Sequence, residues 1–393
     1  MKHNAIVAGV GMVKFAKPGA SESYDSMAAD AARKALADAG LDYAAMEQVY
    51  AGYVYGDSTC GQKAMYRVGM TGVPIVNVNN NCSTGSTALF LARQAVESGA
   101  ADCVLAVGFE QMRPGALGSV WNDRPTPFDD FDAITDELAA EVDVPFALKY
   151  FGGAGLSHMK KYGTKLSAFA RIRAKASRHA ANNPLALMRE VLSEEDVLRS
   201  PALWPGVMTR LMACPPTCGA AAAVVVSPGY ARRRGLRKGV AIAAQAMTTD
   251  TPITFEARDM MQLVGYDMAR TCANQVYSAA GIGPEDIKVV ELHDCFVHNE
   301  LISYEALGLC PEGGAEQFVS DGDNTYGGRV VTNPSGGLLS KGHPLGATGL
   351  AQCFELTHQL RGTAGARQVP GVKVALQHNL GLGGACVVTL YQA

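Results

Sequence analysis

The chain has 393 residues, 48% of them hydrophobic and 18% charged, with a formal net charge of −3. This composition excludes a disordered chain and supplies no basic surface for nucleic acid. No apolar run approaches the ~20 residues of a membrane-spanning helix. The N-terminus, Met1-Lys2-His3-Asn4, leads into a strand without a signal-peptide pattern, and the C-terminus carries no peroxisomal tripeptide, so a cytoplasmic protein is expected. Ten cysteines are scattered along the chain, and several, such as Cys103 and Cys386, lie in apolar segments. They fit a reducing compartment rather than a disulfide scaffold. Cys214 and Cys218 are four apart, with no second pair at zinc spacing, so no metal is expected.

In chain order the pattern alternates between strand and helix, which points to α/β layers. Strands are predicted over residues 5–10, 48–54, 75–79 and 103–107, with helices over 26–39 and 85–99. Residues 113–205 carry more charge, proline and aromatics, with a helix over 165–181. They read as an inserted, mostly helical subdomain, because an apolar strand resumes over 220–226. Residues 1–112 and 206–238 then form an N-terminal half and residues 239–393 a C-terminal half. The second half repeats the element order of the first, without repeating its residues. Its strands are predicted over 240–246, 287–292, 330–332, 372–377 and 386–391, and its helices over 260–280, 299–307 and 347–361.

Cys82 lies where the strand ending Val76-Asn77-Val78-Asn79 gives way to a helix, and Ser83 and Thr84 are potential N-caps. A thiol at a helix N-terminus has its thiolate form favoured, which makes it a nucleophile candidate. A buried structural cysteine is the alternative for Cys82 alone. Three further polar loops follow apolar strands: His293-Asp294-Cys295-Phe296, Asn333-Pro334-Ser335-Gly336-Gly337 leading to Gly342-His343-Pro344, and His378-Asn379-Leu380-Gly381. Ligands bind beyond the carboxyl ends of strands in such sheets. A histidine at the position of His343 can take a proton from a thiol or donate to an oxyanion. His158, His179, His298 and His358 fall within helical stretches and are expected at the surface or core edge.

These stretches, with Gly56-Asp57-Ser58-Thr59-Cys60-Gly61 and Gly322-Asp323-Asn324-Thr325-Tyr326-Gly327-Gly328, resemble the thiolase superfamily. The likeness is strongest to its sterol-carrier branch and runs over nearly the whole chain. The resemblance implies a duplicated five-layered αβαβα fold, an inserted loop domain that holds coenzyme A, and a homodimer with residues 75–79 near the interface. It implies Cys82 as the acylated nucleophile and His343 as its activating base and oxyanion partner. Most thiolases carry a second catalytic cysteine where this chain has His378, and an Asn-Glu-Ala-Phe motif where it has His293–Phe296. In the sterol-carrier branch Cys295 takes over as acid/base; a small buried cysteine, or His378 as the base, is the alternative. His343, His293, His378 and backbone N–H groups near Cys82 and Gly381 are candidate oxyanion donors.

The expected function is acyl transfer between CoA thioesters: 3-oxoacyl-CoA and CoA exchanging with acyl-CoA and acetyl-CoA through an acyl-cysteine. No prosthetic group is needed, and coenzyme A enters as substrate and product. Tyr150, Phe151 and Met159 are expected to line its groove beside Gly381, with packing of the insertion's own core as the alternative. Competing functions are a thiolase-like retro-aldolase, whose relatives lose the nucleophilic cysteine, and a carrier-protein ketosynthase. A lipid-transfer protein is disfavoured, since no lipid-carrying segment follows the last strand.

Overall fold

The computed structural model describes residues 4–115, 117–139, 142–236 and 238–393. Its strands are β1 Ile6–Met12, β2 Gln48–Gly52, β3 Ile75–Val78, β4 Cys103–Glu110, β5 Ala202–Trp204, β6 Met208–Thr209, β7 Gly219–Val226, β8 Val240–Thr248, β9 Val289–Glu291, β10 Val331–Thr332, β11 Val374–Gly381 and β12 Ala385–Gln392. Apart from the small β5–β6 pair, they lie in the order β10-β9-β11-β12-β8-β1-β7-β4-β2-β3. Read outward from the β1–β8 seam, both halves follow one plan: first strand, fifth, fourth, second, third. The second, third and fourth strands of each half run parallel, and the fifth runs antiparallel to its neighbours. At the seam only Ile6–Ala241 and Val7–Val240 pair.

Three apolar clusters set the layers. One joins Ala88, Leu89 and Ala92 of helix Thr84–Glu97 to Leu350, Ala351 and Leu356 of helix Thr348–Arg361, and takes residues from strands of both halves. These two helices therefore form the central layer, covered on each side by one half of the sheet. The second cluster packs helix Tyr24–Ala39 on the outer face of the N-terminal half. The third packs helices Tyr266–Ala280 and Val297–Ala306 on the outer face of the C-terminal half. The result is αβαβα. Helices Phe146–Tyr162 and Leu166–Ala181 between β4 and β7 join this third cluster rather than building a separate one.

Most elements fall within a few residues of expectation, with three departures. The helix expected over 260–280 breaks at Gly265, which has φ +89°, into Met260–Leu263 and Tyr266–Ala280. β11 extends through Gly381, so His378 and Asn379 lie on a strand and not in the loop after it. His158, His179 and His298 are buried rather than peripheral. Each has a partner that repays its burial: Glu305 at 3.0 Å, the Asn333 carbonyl at 3.0 Å and the Val207 carbonyl at 2.9 Å, respectively. Together with Lys175, which bonds Glu300 and, at 2.7 Å, Thr332 Oγ1, they tie the segment between β4 and β7 to helix Val297–Ala306 and to the end of β10.

Candidate active site

The loop carrying Cys82 is held largely by its own side-chain hydrogen bonds. Asn81 adopts φ +50°, a left-handed conformation asparagine tolerates. Its Nδ2 donates to the Leu382 carbonyl at 3.1 Å, and its Oδ1 accepts from Cys82 Sγ at 3.6 Å. Ser83 Oγ donates to Asn80 O (2.8 Å) and Thr84 Oγ1 to Asn81 O (2.7 Å). Neither serves as the expected side-chain N-cap; both bond backward into the loop.

The loops after β3, β9 and β10 converge. Cys82 Sγ and one ring nitrogen each of His293 and His343 all lie within 4.8 Å of one another. The two rings meet edge to face with centroids 5.1 Å apart. His343 Nδ1 lies 2.7 Å from Thr348 Oγ1, and that hydroxyl donates to Pro344 O at 3.0 Å. The hydroxyl hydrogen is thus committed, so Nδ1 is the donor and Nε2 carries a lone pair. This tautomer is assigned from the network. Nε2 is buried and has no partner among the described residues.

Residues 213–217 thread between two of these loops. Ala213 bridges to Phe296 and Pro216 to His343. Cys214 N donates to Cys295 O at 2.9 Å, and His343 N donates to Thr217 Oγ1 at 3.1 Å. Gly342, at φ +114°, faces the same threonine: a Cβ there would lie 2.7 Å from Thr217 Cγ2. Cys295 is buried at 4% exposure. Burial first, then the neighbouring Cys214, Cys82 and Asp294, push its thiol well above the ordinary value. His378 is also buried; its Nδ1 accepts weakly from His293 N at 3.5 Å, and its Nε2 has no partner among the described residues.

Electrostatics correct one expectation. Burial, and second the charge of Glu110, push the Cys82 thiol up to about 12 rather than down; the hydrogen bond from its own backbone N–H opposes this only in part. Burial and Lys341 push His343 down to about 3, and burial holds His378 at about 4. At neutral pH the couple is therefore thiol and neutral imidazole, with the proton on sulfur.

Two coenzyme expectations meet a different environment. Tyr150 and Phe151 are 0% and 3% exposed. Tyr150 packs among Phe131 and Phe146, and Phe151 stacks on Phe296 with centroids 4.9 Å apart. With essentially no accessible surface they are core residues, and Met159 packs partly buried against the same cluster. Gly381 ends β11 against the nucleophile loop, where a Cβ would lie 2.3 Å from Asn80 O. Its lack of a side chain is explained by that approach.

Glu110, Thr217 and Asn379 are site residues that the sequence reading did not single out. Glu110 Oε1 and Oε2 accept from Tyr55 N (2.9 Å), Val54 N (3.1 Å) and Gly346 N (3.0 Å), joining loops of both halves. A carboxylate ending the fully buried run Cys103–Glu110 was a usable signal. Thr217 lies in irregular chain without any periodicity to mark it. Asn379 was visible only as part of a polar loop.

Family models match at residues 5–118, thiolase N-terminal domain, and 251–390, thiolase C-terminal domain-like. Sterol carrier protein 2 of Rattus norvegicus is 54% identical over 391 residues, covering 98% of this chain and 71% of that protein. Benzoylsuccinyl-CoA thiolase subunit BbsB of Thauera aromatica is 34% identical, covering 98% and 96%. Among solved structures, the Ltp2-ChsH2(DUF35) aldolase superposes with TM-score 0.84 at 23% identity, over 100% of this chain and 98% of that one. Human mitochondrial 3-ketoacyl-CoA thiolase in complex with CoA superposes with TM-score 0.72 at 17% identity, over 100% and 98%. No described helix is long and apolar enough to cross a membrane. On the family models and the identity to these relatives, the chain belongs to the thiolase family.

Proposed function

We propose that the protein is a thiolase that cleaves or forms 3-oxoacyl-CoA through an acyl group carried on Cys82. The observation that carries this is the meeting of Cys82 Sγ with His343 and His293 within 4.8 Å, with His343 Nε2 free to accept. In the cleavage direction the Cys82 S–H proton passes to His343 Nε2 as sulfur attacks the C3 ketone carbon. The C2–C3 bond breaks, its electron pair forms the acetyl-CoA enolate, and Cys295 protonates that carbon. The CoA thiol then gives its proton to the Cys295 thiolate and attacks the acyl-Cys82 carbonyl; acyl-CoA leaves, and the Cys82 sulfur takes its proton back from His343. His293, His378 and backbone N–H groups stabilise the oxyanions.

Thiolysis of a panel of 3-oxoacyl-CoA chain lengths tests the reading directly, with mass spectrometry locating the acyl adduct. Absence of thiolysis on every chain length, or an adduct outside the Cys82 peptide, overturns it. A retro-aldolase is the second reading, favoured by the fold shared with the Ltp2 aldolase. It would cleave a 3-hydroxyacyl-CoA without consuming free CoA; the presence of Cys82 weighs against it.

The coenzyme is proposed to lie against the segment 113–205, and protection from hydrogen exchange there on adding CoA is the expected sign. A homodimer through β3 is proposed as well. β3 is the outermost strand of its half; Val76 on it, and Tyr66 and Met70 in the segment before it, are 48%, 51% and 79% exposed. Light scattering should report twice the chain mass at micromolar concentration.

A further inference from the structure

Asn379 stands between the nucleophile and His293. Its Nδ2 donates to Cys82 O at 3.1 Å and lies 3.0 Å from His293 Nδ1, while its Oδ1 accepts from Ser86 Oγ at 2.8 Å. A backbone carbonyl can only accept, so the atom facing Cys82 O is the amide nitrogen. The links behind it are equally directional. Gln377 Nε2 donates to Gly349 O at 2.8 Å, which fixes that amide too, and to Ser86 Oγ at 2.7 Å. Ser86 receives that hydrogen and gives its own to Asn379. Gln377 Oε1 accepts the Tyr391 hydroxyl. The chain Tyr391, Gln377, Ser86, Asn379 therefore runs one way and ends with a hydrogen aimed at His293 Nδ1.

All four side chains are fully buried, and they cross the central layer where the halves meet: Ser86 on helix Thr84–Glu97, Gln377 and Asn379 on β11, Tyr391 on β12. Gly349 leaves them room, since a Cβ there would lie 2.1 Å from Ser86 Oγ and 2.6 Å from Asn379 Oδ1. Burial, then His343 and His378, push His293 well below its ordinary value and keep it neutral. A neutral imidazole has one ring hydrogen. With Nδ1 accepting, that hydrogen is on Nε2.

We propose that Asn379, oriented by the Tyr391–Gln377–Ser86 chain, is a positioning residue that fixes His293 in its Nε2–H tautomer. This rests on the thiolase reading for its purpose. Two histidines then face one thiol with opposite wiring: His343 offers a lone pair and takes the proton, and His293 offers a hydrogen and stabilises the oxyanion. The same wiring leaves the lone-pair nitrogen of His293, Nδ1, engaged by the Asn379 amide.

The test is nitrogen NMR on protein carrying labelled histidine, with His293 assigned by the signals missing from His293→Gln. The expected wild-type spectrum shows a pyridine-type Nδ1 and a pyrrole-type Nε2 on His293. A pyrrole-type Nδ1 would overturn the proposal without any variant. Asn379→Asp replaces the donor with an obligate acceptor. It should turn Nδ1 pyrrole-type, lower kcat about 100-fold with little change in KM, and add a new limb to the pH profile as the carboxylate makes His293 titratable. An Asn379→Asp protein with wild-type histidine signals also overturns the proposal. The spectra need no substrate, so the two ideas fail separately. Absent thiolysis with the expected tautomer removes the function and keeps the wiring, and normal thiolysis with the wrong tautomer does the reverse.

Discussion

The two halves of the molecule bring a loop to the same place by different means. In the N-terminal half, residues 79–83 join β3 to helix Thr84–Glu97, and the loop's hydrogen bonds are largely its own. In the C-terminal half, residues 333–347 join β10 to helix Thr348–Arg361, and support is borrowed from distant segments. Thr217 holds His343 N, Glu110 holds Gly346 N, Glu291 pairs with Lys341 at 3.3 Å, and Arg173 donates to Ser340 Oγ at 2.6 Å. A short loop held mostly by its own bonds suits the proposed nucleophile, Cys82, whose position must not vary. A long loop held by both halves places the proposed base, His343, only when the whole fold is assembled.

Removing the chemical groups themselves should give the largest effects. Cys82→Ala should lower turnover by about 10⁴-fold or more and abolish the acyl adduct. His343→Ala should cost about 10²–10⁴-fold and slow acylation itself. Near-normal acylation of Cys82 in His343→Ala, followed by rapid mixing, would break the division of labour between the loops.

Cys295→Ala is expected to separate the steps. Acylation of Cys82 should survive while carbon–carbon bond formation and methyl deuterium exchange in acetyl-CoA fall by about 10²-fold. If exchange persists in Cys295→Ala and disappears in His378→Ala, the acid/base is His378.

The sequence carried the layers and most of the strands because apolar periodicity is set by burial, and burial is what the fold requires of each segment. It marked Cys82, His293 and His343, which the structure brings together, because each sits in a polar loop ending an apolar strand. It did not carry the wiring. Asn379 and Ser86 are 293 residues apart, and nothing local marks them as partners. It also misjudged the Cys82 thiol. A helix N-terminus is legible locally, but the desolvation that outweighs it depends on what the other half packs over the sulfur. Tyr150 and Phe151 failed for a similar reason, since an aromatic pair on a helix looks the same whether it lines a groove or fills a core.

Lys341→Met tests the borrowed support. It leaves Glu291 buried without its cation, and loss of one partner from such a pair costs about 3–5 kcal/mol. The chain should denature at visibly lower urea concentration. Unchanged stability would mean that the long loop does not need this borrowed pair.

The smallest expected effect is at Glu110, which touches both loops. Burial raises its carboxyl from the ordinary 4.5 to about 7, against three backbone N–H bonds that lower it. Between those values the unfolded chain has released the proton and the folded one has kept it. The unfolded state therefore binds fewer protons, and this group's contribution makes stability fall as pH rises from about 4.5 to 7. The span corresponds to about 3 kcal/mol. Glu110→Gln removes that dependence. The variant gives up some hydrogen bonding at every pH, but its stability relative to wild type should improve by about 2–3 kcal/mol between pH 5 and pH 8, read from urea midpoints. The charge lost is also one of the causes raising the Cys82 thiol. Iodoacetamide should therefore alkylate Cys82 a few-fold faster in Glu110→Gln at pH 8. In Glu110→Gln the rate should climb about tenfold per pH unit from 6 to 9, because the thiolate fraction grows that way while the thiol titrates well above that range, and in the wild type somewhat less steeply as Glu110 ionises near 7. A plateau in that range would mean that sulfur and His343 rest as an ion pair, and a stability difference independent of pH would mean that Glu110 is already ionised at pH 5.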